Sequence, residues 1–401
     1  MSNLRDRLKK IAAERKDAPQ AAPAPRADPA PRADPAPRVD PAPRAACAQI
    51  VREAEIPPLR LSANALALMG GEAFAGLRLA PEDLLFLDTE TTGLSGGVGT
   101  IAFEVGVGEV LGGRMRITQL YLRDYDEEED LLRRLLPLFA GKRAVVTFNG
   151  KSFDLPLLTS RCTLYRLRAP WQEMAHLDLV HPARRLYKLR LRSCTLGDLE
   201  EKILGAPRAG DIPGREVPAL WAQFLRTRDE GPLQRVFEHN FQDVRAMALL
   251  LQALARAHDE PEGQMHFEDL YSVGRIYDRA GRADVAERCY AHVVAGSCRV
   301  RAGQALHRLY RRQGRAQDAL RLLEEMAASG AGGTFPYVEM AKLYEHRLHD
   351  PARALRCTDL ALALSRDGAE QAELLHRRAR LARRLDGPAV SKRTKSTRER
   401  V

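Results

Sequence analysis

Three tyrosines spaced 33 and 34 residues apart constrain the fold of the last third of this 401-residue chain more than any other feature. Each tyrosine lies in a helical pattern of apolar residues, and an alanine follows each one on the next helical pattern. Small residues at helix crossings, with an aromatic residue nearby, are typical of stacked helical hairpins. The period therefore predicts a series of antiparallel helix pairs. The recurring residues are Tyr277, Tyr310 and Tyr344, with Ala286, Ala319 and Ala354.

The periodic stretch covers residues 266–365 and resembles tetratricopeptide repeats, although the early Trp and the closing Pro of those repeats are absent. A plain helical bundle shows a similar period, so that alternative stays open. A further helix at 369–386 would complete a repeat domain at 266–386. The resemblance implies that this domain recruits a protein partner or positions a substrate. The basic end at 387–401 has no apolar pattern and is expected to be disordered.

The first 55 residues are expected to precede the folded part of the chain. Residues 1–17 alternate in charge and could form a short helix. Residues 23–45 repeat every six residues and consist almost entirely of Pro, Ala, Arg and Asp. Proline blocks helix and sheet, and these residues cannot build a core, so we predict an extended linker. A docking segment for a partner protein is the alternative.

The overall composition favours a cytoplasmic protein that binds a polyanion. The formal net charge is +10, and such an excess favours nucleic acid as a partner. The N-terminus lacks the apolar segment of a signal peptide, and no apolar run reaches the ~18 residues of a membrane span. The six cysteines are scattered without a C-x-x-C pair, which fits free thiols in a reducing compartment and argues against a zinc site.

The middle segment, residues 56–257, has the pattern of an α/β domain. Strand-like apolar runs come first, and helical patterns are interleaved with them and follow them. This order predicts a mixed sheet flanked by helices. The predicted strands are 84–88, 101–110, 115–122 and 144–148, and the predicted helices are 128–140, 154–166, 195–204, 217–227 and 232–256.

Two acids end the first of these strands in the stretch FLDTETTGL. Asp88 and Glu90 are two residues apart, so on a strand their side chains point to the same face. Two such carboxylates at the end of a buried strand repel each other unless a cation compensates their charge. The pair alone is compatible with half of a metal site or with an ordinary polar strand end.

Two more acids follow at the starts or faces of helices. Asp154 falls in the first turn of a helix that follows a strand and the turn Asn149-Gly150. His239 and Asp243 are four residues apart on a helix and therefore share one face. Each has an ordinary explanation, because an acid favours the start of a helix and a His–Asp pair suits a solvated face.

Together these motifs resemble those of the DEDD (DnaQ-like) 3′–5′ exonucleases, which have a ribonuclease H-like fold. The order is D-x-E on a strand, N-G-x-x-F-D after a strand and H-x-x-x-D on a late helix. Over residues 80–256 the pattern most resembles YprB-type ribonuclease H-like proteins, in which such a domain is coupled to helical repeats. The stretches 176–186 and 193–205 match two further family segments, and the resemblance gives Asp178 in the first a structural role.

The resemblance implies a nuclease that uses two divalent cations, Mg²⁺ or Mn²⁺. The cations would be held by Asp88, Glu90, Asp154 and Asp243, because hard cations prefer oxygen ligands. His239 would act as the general base. Its four-residue spacing from the last acid is that of the Tyr branch of the family, since the His branch uses five. The expected substrate is the 3′ end of single-stranded or frayed nucleic acid.

Substrate contacts are expected around the first motif and in a basic segment. Thr89, Thr91 and Thr92 would lie near the terminal nucleotide, and Asn149 is a turn residue that could also touch it. The basic segment 181–194 suits a single-stranded phosphate track, although a solvated charged helix fits equally well. Its cations are Arg184, Arg185, Lys188, Arg190 and Arg192.

Three functions stay open from the sequence. The first is a metal-dependent 3′–5′ exonuclease. The second is a structure-selective ribonuclease H-like endonuclease, which would use the same metal chemistry. The third is a scaffold or nucleic-acid-binding protein with a retired nuclease fold, against which the presence of all four acids argues. The sequence does not distinguish DNA from RNA.

Overall fold

The structure is a computed structural model that describes residues 46–93 and 99–386. The expected helix at 1–17, the linker at 23–45 and the basic end at 387–401 lie outside the described residues. Within them, six strands form one sheet in the order β1-β4-β3-β2-β5-β6. The strands are β1 (Ala48–Glu55), β2 (Leu84–Thr91), β3 (Ala102–Leu111), β4 (Arg114–Tyr121), β5 (Ala144–Thr147) and β6 (Ala175–Asp178).

The sheet is mixed, as the sequence predicted. Strands β2, β5 and β6 run parallel, whereas β1, β4, β3 and β2 pair antiparallel with one another along the sheet. The four predicted strands correspond to β2 to β5. Strand β2 lies in the middle and is buried on both faces over its apolar half, which explains its continuous run of apolar residues. The carboxyl end of β2 therefore lies beside that of β5.

Strand β1 corrects the predicted end of the linker. Residues 48–55 were expected to be linker, but they pair with the whole length of β4, from Ala48 opposite Tyr121 to Glu55 opposite Arg114. This edge strand, AQIVREAE, leaves alternate residues exposed, and Val51 is 50% exposed. A strand that buries so little apolar surface has a weak local signal, and its pairing with β4 supplies the missing stabilisation.

Helices cover both faces of the sheet. One face packs against α1, α4 and the second half of α7, and the other packs against α2, α3 and α6. Neighbouring β2 residues alternate between these layers, so Phe86 belongs to the first and Leu85 to the second. The helices are α1 (Ala63–Gly70), α2 (Glu128–Leu135), α3 (Asp154–Leu164), α4 (Val180–Tyr187), α5 (Leu196–Leu199, continued by a π-helical turn at Glu200–Leu204), α6 (Val217–Thr227) and α7 (Leu233–Asp259).

Seven more helices form the all-helical region. They are α8 (Phe267–Arg279), α9 (Ala283–Ala291), α10 (Arg299–Arg312), α11 (Ala316–Ala328), α12 (Phe335–His346), α13 (Pro351–Leu364) and α14 (Gly368–Asp386). The residues that recur in the sequence also make recurring contacts in the structure. The recurring alanines are fully buried, and an arginine guanidinium lies 5.9, 4.4 and 5.6 Å from the ring centres of the three recurring tyrosines. The final helix was predicted at nearly these bounds.

The sheet and the first helix pairs share one apolar core. Phe86 of β2 belongs to the same cluster as Val273 of α8 and Cys289 of α9. A buried ion pair crosses the same boundary, because Arg190 Nη2 lies 2.7 Å from Asp269 Oδ2 and the carboxylate side chain is 4% exposed. The domain limits at residues 257 and 266 stay a prediction, since the packing is continuous across them.

Candidate active site

Asp88 and Glu90 lie at the carboxyl end of β2, opposite Gly106 and Glu104 of β3. Asp88 is half-buried and Glu90 is buried. Burial raises the pKa of both carboxyls well above their usual range. The charges of Asp243 and Asp154 raise that of Asp88 further, and the charges of Asp88 and Glu104 raise that of Glu90 further. The acids of the three motifs therefore lie within electrostatic reach of one another.

Asp154 is the first residue of α3 and faces the first motif. The hydroxyl of Thr89, the residue between the first two acids, donates a hydrogen bond to Asp154 Oδ1. Burial raises the pKa of Asp154 to about 6, although the Thr89 hydrogen bond acts in the opposite direction. Two sequence motifs are thus connected directly by side chains.

The loop before α3 is held by Asp178 at the end of β6. Its carboxylate accepts the backbone N–H groups of Asn149 at 2.7 Å and Lys151 at 3.1 Å. Asn149 has a φ of +68°, a left-handed conformation that asparagine tolerates better than most residues. Asp178 and Asn149 therefore shape the turn that presents Asp154.

Helix α7 contributes the remaining groups and one that sequence reasoning missed. Asn240 is fully buried, and its Nδ2 donates to Asp88 Oδ2 at 2.9 Å. Gln119 of β4 connects Asn240 to Glu104, because its Nε2 lies 3.2 Å from Asn240 Oδ1 and 2.7 Å from Glu104 Oε1. The buried side-chain amides of Asn240 and Gln119 therefore hold Asp88 in place. No catalytic motif marked Asn240 in the sequence, although it stands beside His239.

His239 points one ring nitrogen at the acids and the other away from them. Its Nε2 lies 3.8 Å from Glu90 Oε1 and 3.8 Å from Asp243 Oδ2. Its Nδ1 lies 2.6 Å from Asp211 Oδ1. Asp211 fixes the ring orientation and, by accepting the Nδ1 proton, would leave Nε2 free to accept another. The four-residue spacing from Asp243 therefore still brings the imidazole to the acid cluster.

Arg208 brings a positive charge to the same cluster. Its Nη2 lies 2.5 Å from Asp243 Oδ1 and contacts Glu200, and its Nη1 lies 3.2 Å from Asp211 Oδ2. The guanidinium side chain is only 11% exposed. Arg208 and Asp211 belong to the segment GAPRAGDIPG, whose Gly and Pro content is typical of a loop and does not indicate this role.

The donor set fits hard divalent cations in its chemistry. Asp88, Glu90, Asp154 and Asp243 offer only oxygen ligands, and cations among them would offset the burial and the mutual repulsion that raise the pKa of Asp88 and Glu90. Among residues 46–93 and 99–386, however, no group of three or more His, Cys, Asp or Glu side chains is already arranged to hold a metal ion.

The predicted substrate-binding threonines make contacts within the chain. Thr91 Oγ1 donates to the carbonyl of Gly93 at 2.9 Å, and Thr92 Oγ1 accepts the N–H of Ile101 at 3.1 Å. The Thr89 hydroxyl donates to Asp154, so all three hydroxyls form hydrogen bonds within the chain. Their side chains therefore brace the end of β2, and their role toward substrate stays a prediction.

The basic segment is divided between internal contacts and solvent. Arg185 Nη2 donates to the carbonyls of Leu68 and Met69 at 3.2 and 2.5 Å, which satisfies the end of α1. Lys188 Nζ donates to the carbonyl of Arg192 at 2.6 Å. Arg190 forms the ion pair with α8 described above. Arg184, Arg185, Lys188 and Arg192 are nevertheless exposed to solvent, whereas Arg190 is half-buried.

Comparison with known proteins defines the family. Residues 85–255 match the model of the ribonuclease H superfamily. The chain is 31% identical over 310 residues to the Bacillus subtilis (strain 168) protein called "Uncharacterized protein YprB", and the match covers 75% of each chain. The chain therefore belongs to the YprB family within the ribonuclease H superfamily. Its sheet and flanking helices are a ribonuclease H-like nuclease fold followed by an all-helical region.

A solved structure is also similar to part of the chain. It is the family B DNA polymerase from the hyperthermophilic archaeon Pyrobaculum calidifontis, with a TM-score of 0.34 and 17% identity. The match covers 52% of this chain and 29% of the polymerase. Separately, no helix within residues 46–93 and 99–386 is long and apolar enough to cross a membrane.

Proposed function

We propose that this protein is a divalent-metal-dependent nuclease that hydrolyses phosphodiester bonds from the 3′ end of single-stranded or frayed nucleic acid. One observation carries the proposal. Acids from three separate elements, β2, α3 and α7, converge. His239 Nε2 lies 3.8 Å from both Glu90 and Asp243, Thr89 beside Asp88 donates a hydrogen bond to Asp154, and the charges of Asp243 and Asp154 add to burial in raising the pKa of Asp88. A fold without catalytic use for this cluster would gain nothing from such repulsion.

Each residue has a definable task. The four carboxylates would hold divalent cations, which supply an acidified water and neutralise charge on the phosphate when bound. His239 Nε2 faces the cluster and would accept the proton of the attacking water, while Asp211 holds its Nδ1. Arg208 would add positive charge beside Asp243, where the substrate phosphate carries negative charge.

The helical region is proposed to consist of tetratricopeptide-like repeats. The support is the repeated contact of an arginine with Tyr277, Tyr310 and Tyr344, together with a fully buried alanine on each second helix. Stacked pairs of this kind present an extended surface for a partner or a substrate.

The test is a degradation assay with strands labelled at the 5′ end. Single- and double-stranded DNA and RNA would each be incubated with Mg²⁺ or Mn²⁺. The wild type should produce a ladder that shortens from the 3′ end, and Asp88→Asn should abolish it. Asp126→Asn is the matched control, because Asp126 is an exposed acid distant in sequence from the motifs. Equal activity of the wild type and Asp88→Asn would refute the proposal.

Two further outcomes separate the alternatives. Cleavage of a circular single strand would identify an endonuclease with the same chemistry. The absence of a ready-made metal arrangement among the described residues favours the scaffold alternative as the second candidate. Calorimetric titration with Mn²⁺ addresses it directly, since a retired site would release no binding heat and Asp88→Asn would change nothing.

A further inference from the structure

A positive side chain recurs with the repeat period of the helical region. Two residues before each recurring tyrosine stand Arg275, Arg308 and Lys342. They lie on α8, α10 and α12, the first helices of three successive pairs. Helix α10 carries five arginines and no acid. With Arg377 of α14, which borders the same cavities as Lys342, these four residues are called the cation row.

Shared neighbours connect members of the cation row in two pairs. Arg275 lies 5.9 Å from the ring centre of Tyr271, and that ring lies 5.8 Å from the ring of Tyr290. Burial raises the pKa of the Tyr290 phenol, and the charges of Arg275 and Arg308 both oppose that change. Lys342 and Arg377 together border two adjoining cavities, of about 450 and 500 Å³. The further cations and histidines at these cavities are Arg311, His346, Arg347, His376 and Arg380.

Buried acids hold these cations but do not neutralise them. Glu339 accepts Lys342 Nζ at 2.6 Å and also pairs with Arg311 at 3.2 Å. Glu345, whose side chain is 1% exposed, pairs with Arg377 at 2.7 Å and with two further arginines of α14. Each acid is outnumbered by its partners. Glu370 and Glu373 also border the second cavity, but the cations named at the two cavities still outnumber the acids, and they are held in defined positions.

The cation row begins next to the sheet domain. Arg279, one helical turn after Arg275 on α8, lies near Arg185 of α4, whose pKa is lowered by burial and by the charge of Arg279. Helix α4 starts directly after β6, and Asp178 at the end of β6 holds the loop that presents Asp154. The cation row therefore begins on the helix whose Asp269 forms an ion pair with Arg190 of the segment after α4.

We propose that the cation row binds the phosphate backbone of a nucleic acid strand. A charge repeated along successive helices matches a polymer that carries one negative charge per nucleotide. Three of the four residues are arginine, and a guanidinium group binds phosphate through paired hydrogen bonds. The assignment of this strand as the substrate rests on the proposed nuclease function.

Binding can be measured without cleavage. The full chain carrying Asp88→Asn would be titrated, with EDTA present, into fluorescein-labelled single-stranded DNA and RNA, and anisotropy recorded at several salt concentrations. In this background, Arg308→Gln/Lys342→Gln removes two members of the cation row. Arg321→Gln/Arg356→Gln is the matched control, because it removes two exposed arginines from the second helices α11 and α13.

The cation-row variant should bind at least about tenfold more weakly at low salt. The slope of log affinity against log salt should become shallower by about 1.4, since each neutralised phosphate of a single strand contributes about 0.7. The control should keep most of its affinity. Equal losses in the two variants would overturn the proposal, because net charge alone would then explain binding. Thermal unfolding of both variants checks that they are folded.

Two results distinguish the partner and the underlying function. If poly-glutamate binds more tightly than the oligonucleotides and displaces them, the occupant is an acidic protein segment and the proposal fails. If the wild type degrades no strand but the cation-row variant alone loses binding, the nuclease proposal fails and the cation row stands. If the wild type degrades strands and the cation-row variant binds them normally, the cation row is refuted.

Discussion

A side chain on Gly106 would occupy the space that Asn240 fills: its Cβ would lie 2.0 Å from Asn240 Oδ1. Gly106 is opposite Asp88 in the sheet, and Asn240 donates its hydrogen bond to Asp88 across this gap. The missing side chain lets α7 approach β3 closely enough to reach the first acid. The same approach brings His239 and Asp243, which flank Asn240 on α7, to the cluster.

Gly106→Ala should therefore destabilise the protein by about 1–3 kcal/mol, the usual cost of overpacking a close contact. Urea unfolding followed by circular dichroism measures this change. Gly197→Ala is the control, since a Cβ there meets nothing within 4 Å and the residue lies in α5. Equal midpoints for the two variants would show that α7 can withdraw from β3 without cost.

His239→Gln should lower kcat by about 100-fold or more, because general-base catalysis commonly contributes that much. Asp211→Asn should lower kcat less and leave KM nearly unchanged, since it removes the charge that orients the ring and pairs with Arg208 but leaves the imidazole in place. The measurement is the initial rate of strand shortening across neutral pH. If Asp211→Asn equals the wild type at every pH, the 2.6 Å contact with Asp211 has no part in positioning the imidazole.

Arg208→Met should cost roughly 3 kcal/mol of stability at pH 8, because it leaves Glu200 and Asp243 without their buried cation. Burial already raises the pKa of Glu200, and Arg208 opposes that rise. In the variant the folded-state pKa would rise further, so the deficit should shrink as pH falls and the acid becomes protonated. Arg215→Met, at an exposed arginine, is the control for urea unfolding at both ends of the pH range.

Glu104 should make stability depend on pH. It is fully buried, and burial raises its pKa from 4.5 to about 8, against the effect of the Gln119 hydrogen bond. Between these values the unfolded chain has lost the proton that the folded chain keeps. Stability should therefore fall as pH rises through this window and level off above about 8. In Glu104→Gln that part of the slope should disappear, which unfolding free energies measured from pH 5 to 9 would reveal.

Much of the fold could be predicted because its signals are local. The apolar run of β2 and the helical pattern of α7 depend on neighbouring residues, and both elements lie close to their predicted bounds. The acids stood out because each follows a recognisable strand or turn. The period of Tyr277, Tyr310 and Tyr344 likewise reflects local packing, because each tyrosine contacts an arginine that is close to it in the sequence.

The missed residues act over long distances in the sequence. Asn240 reaches Asp88 across 152 positions, and Asp211 reaches His239 across 28 from a loop without periodic pattern. Strand β1 is stabilised by its pairing with β4. The weak apolar pattern of residues 48–55 does not predict that pairing. Such contacts depend on the finished tertiary packing, and a single sequence carries no separate signal for them.

The core shared by Phe86, Val273 and Cys289 has a practical consequence for dissecting this protein. A gene fragment that stops before α8 would encode a sheet layer whose apolar side chains face water, and Arg190 would lose its buried partner Asp269. Recombinant truncations at that point would precipitate for reasons unrelated to catalysis. A chimaera that takes its helical region from a homologue should therefore keep α8 and α9 together with the sheet that they pack against.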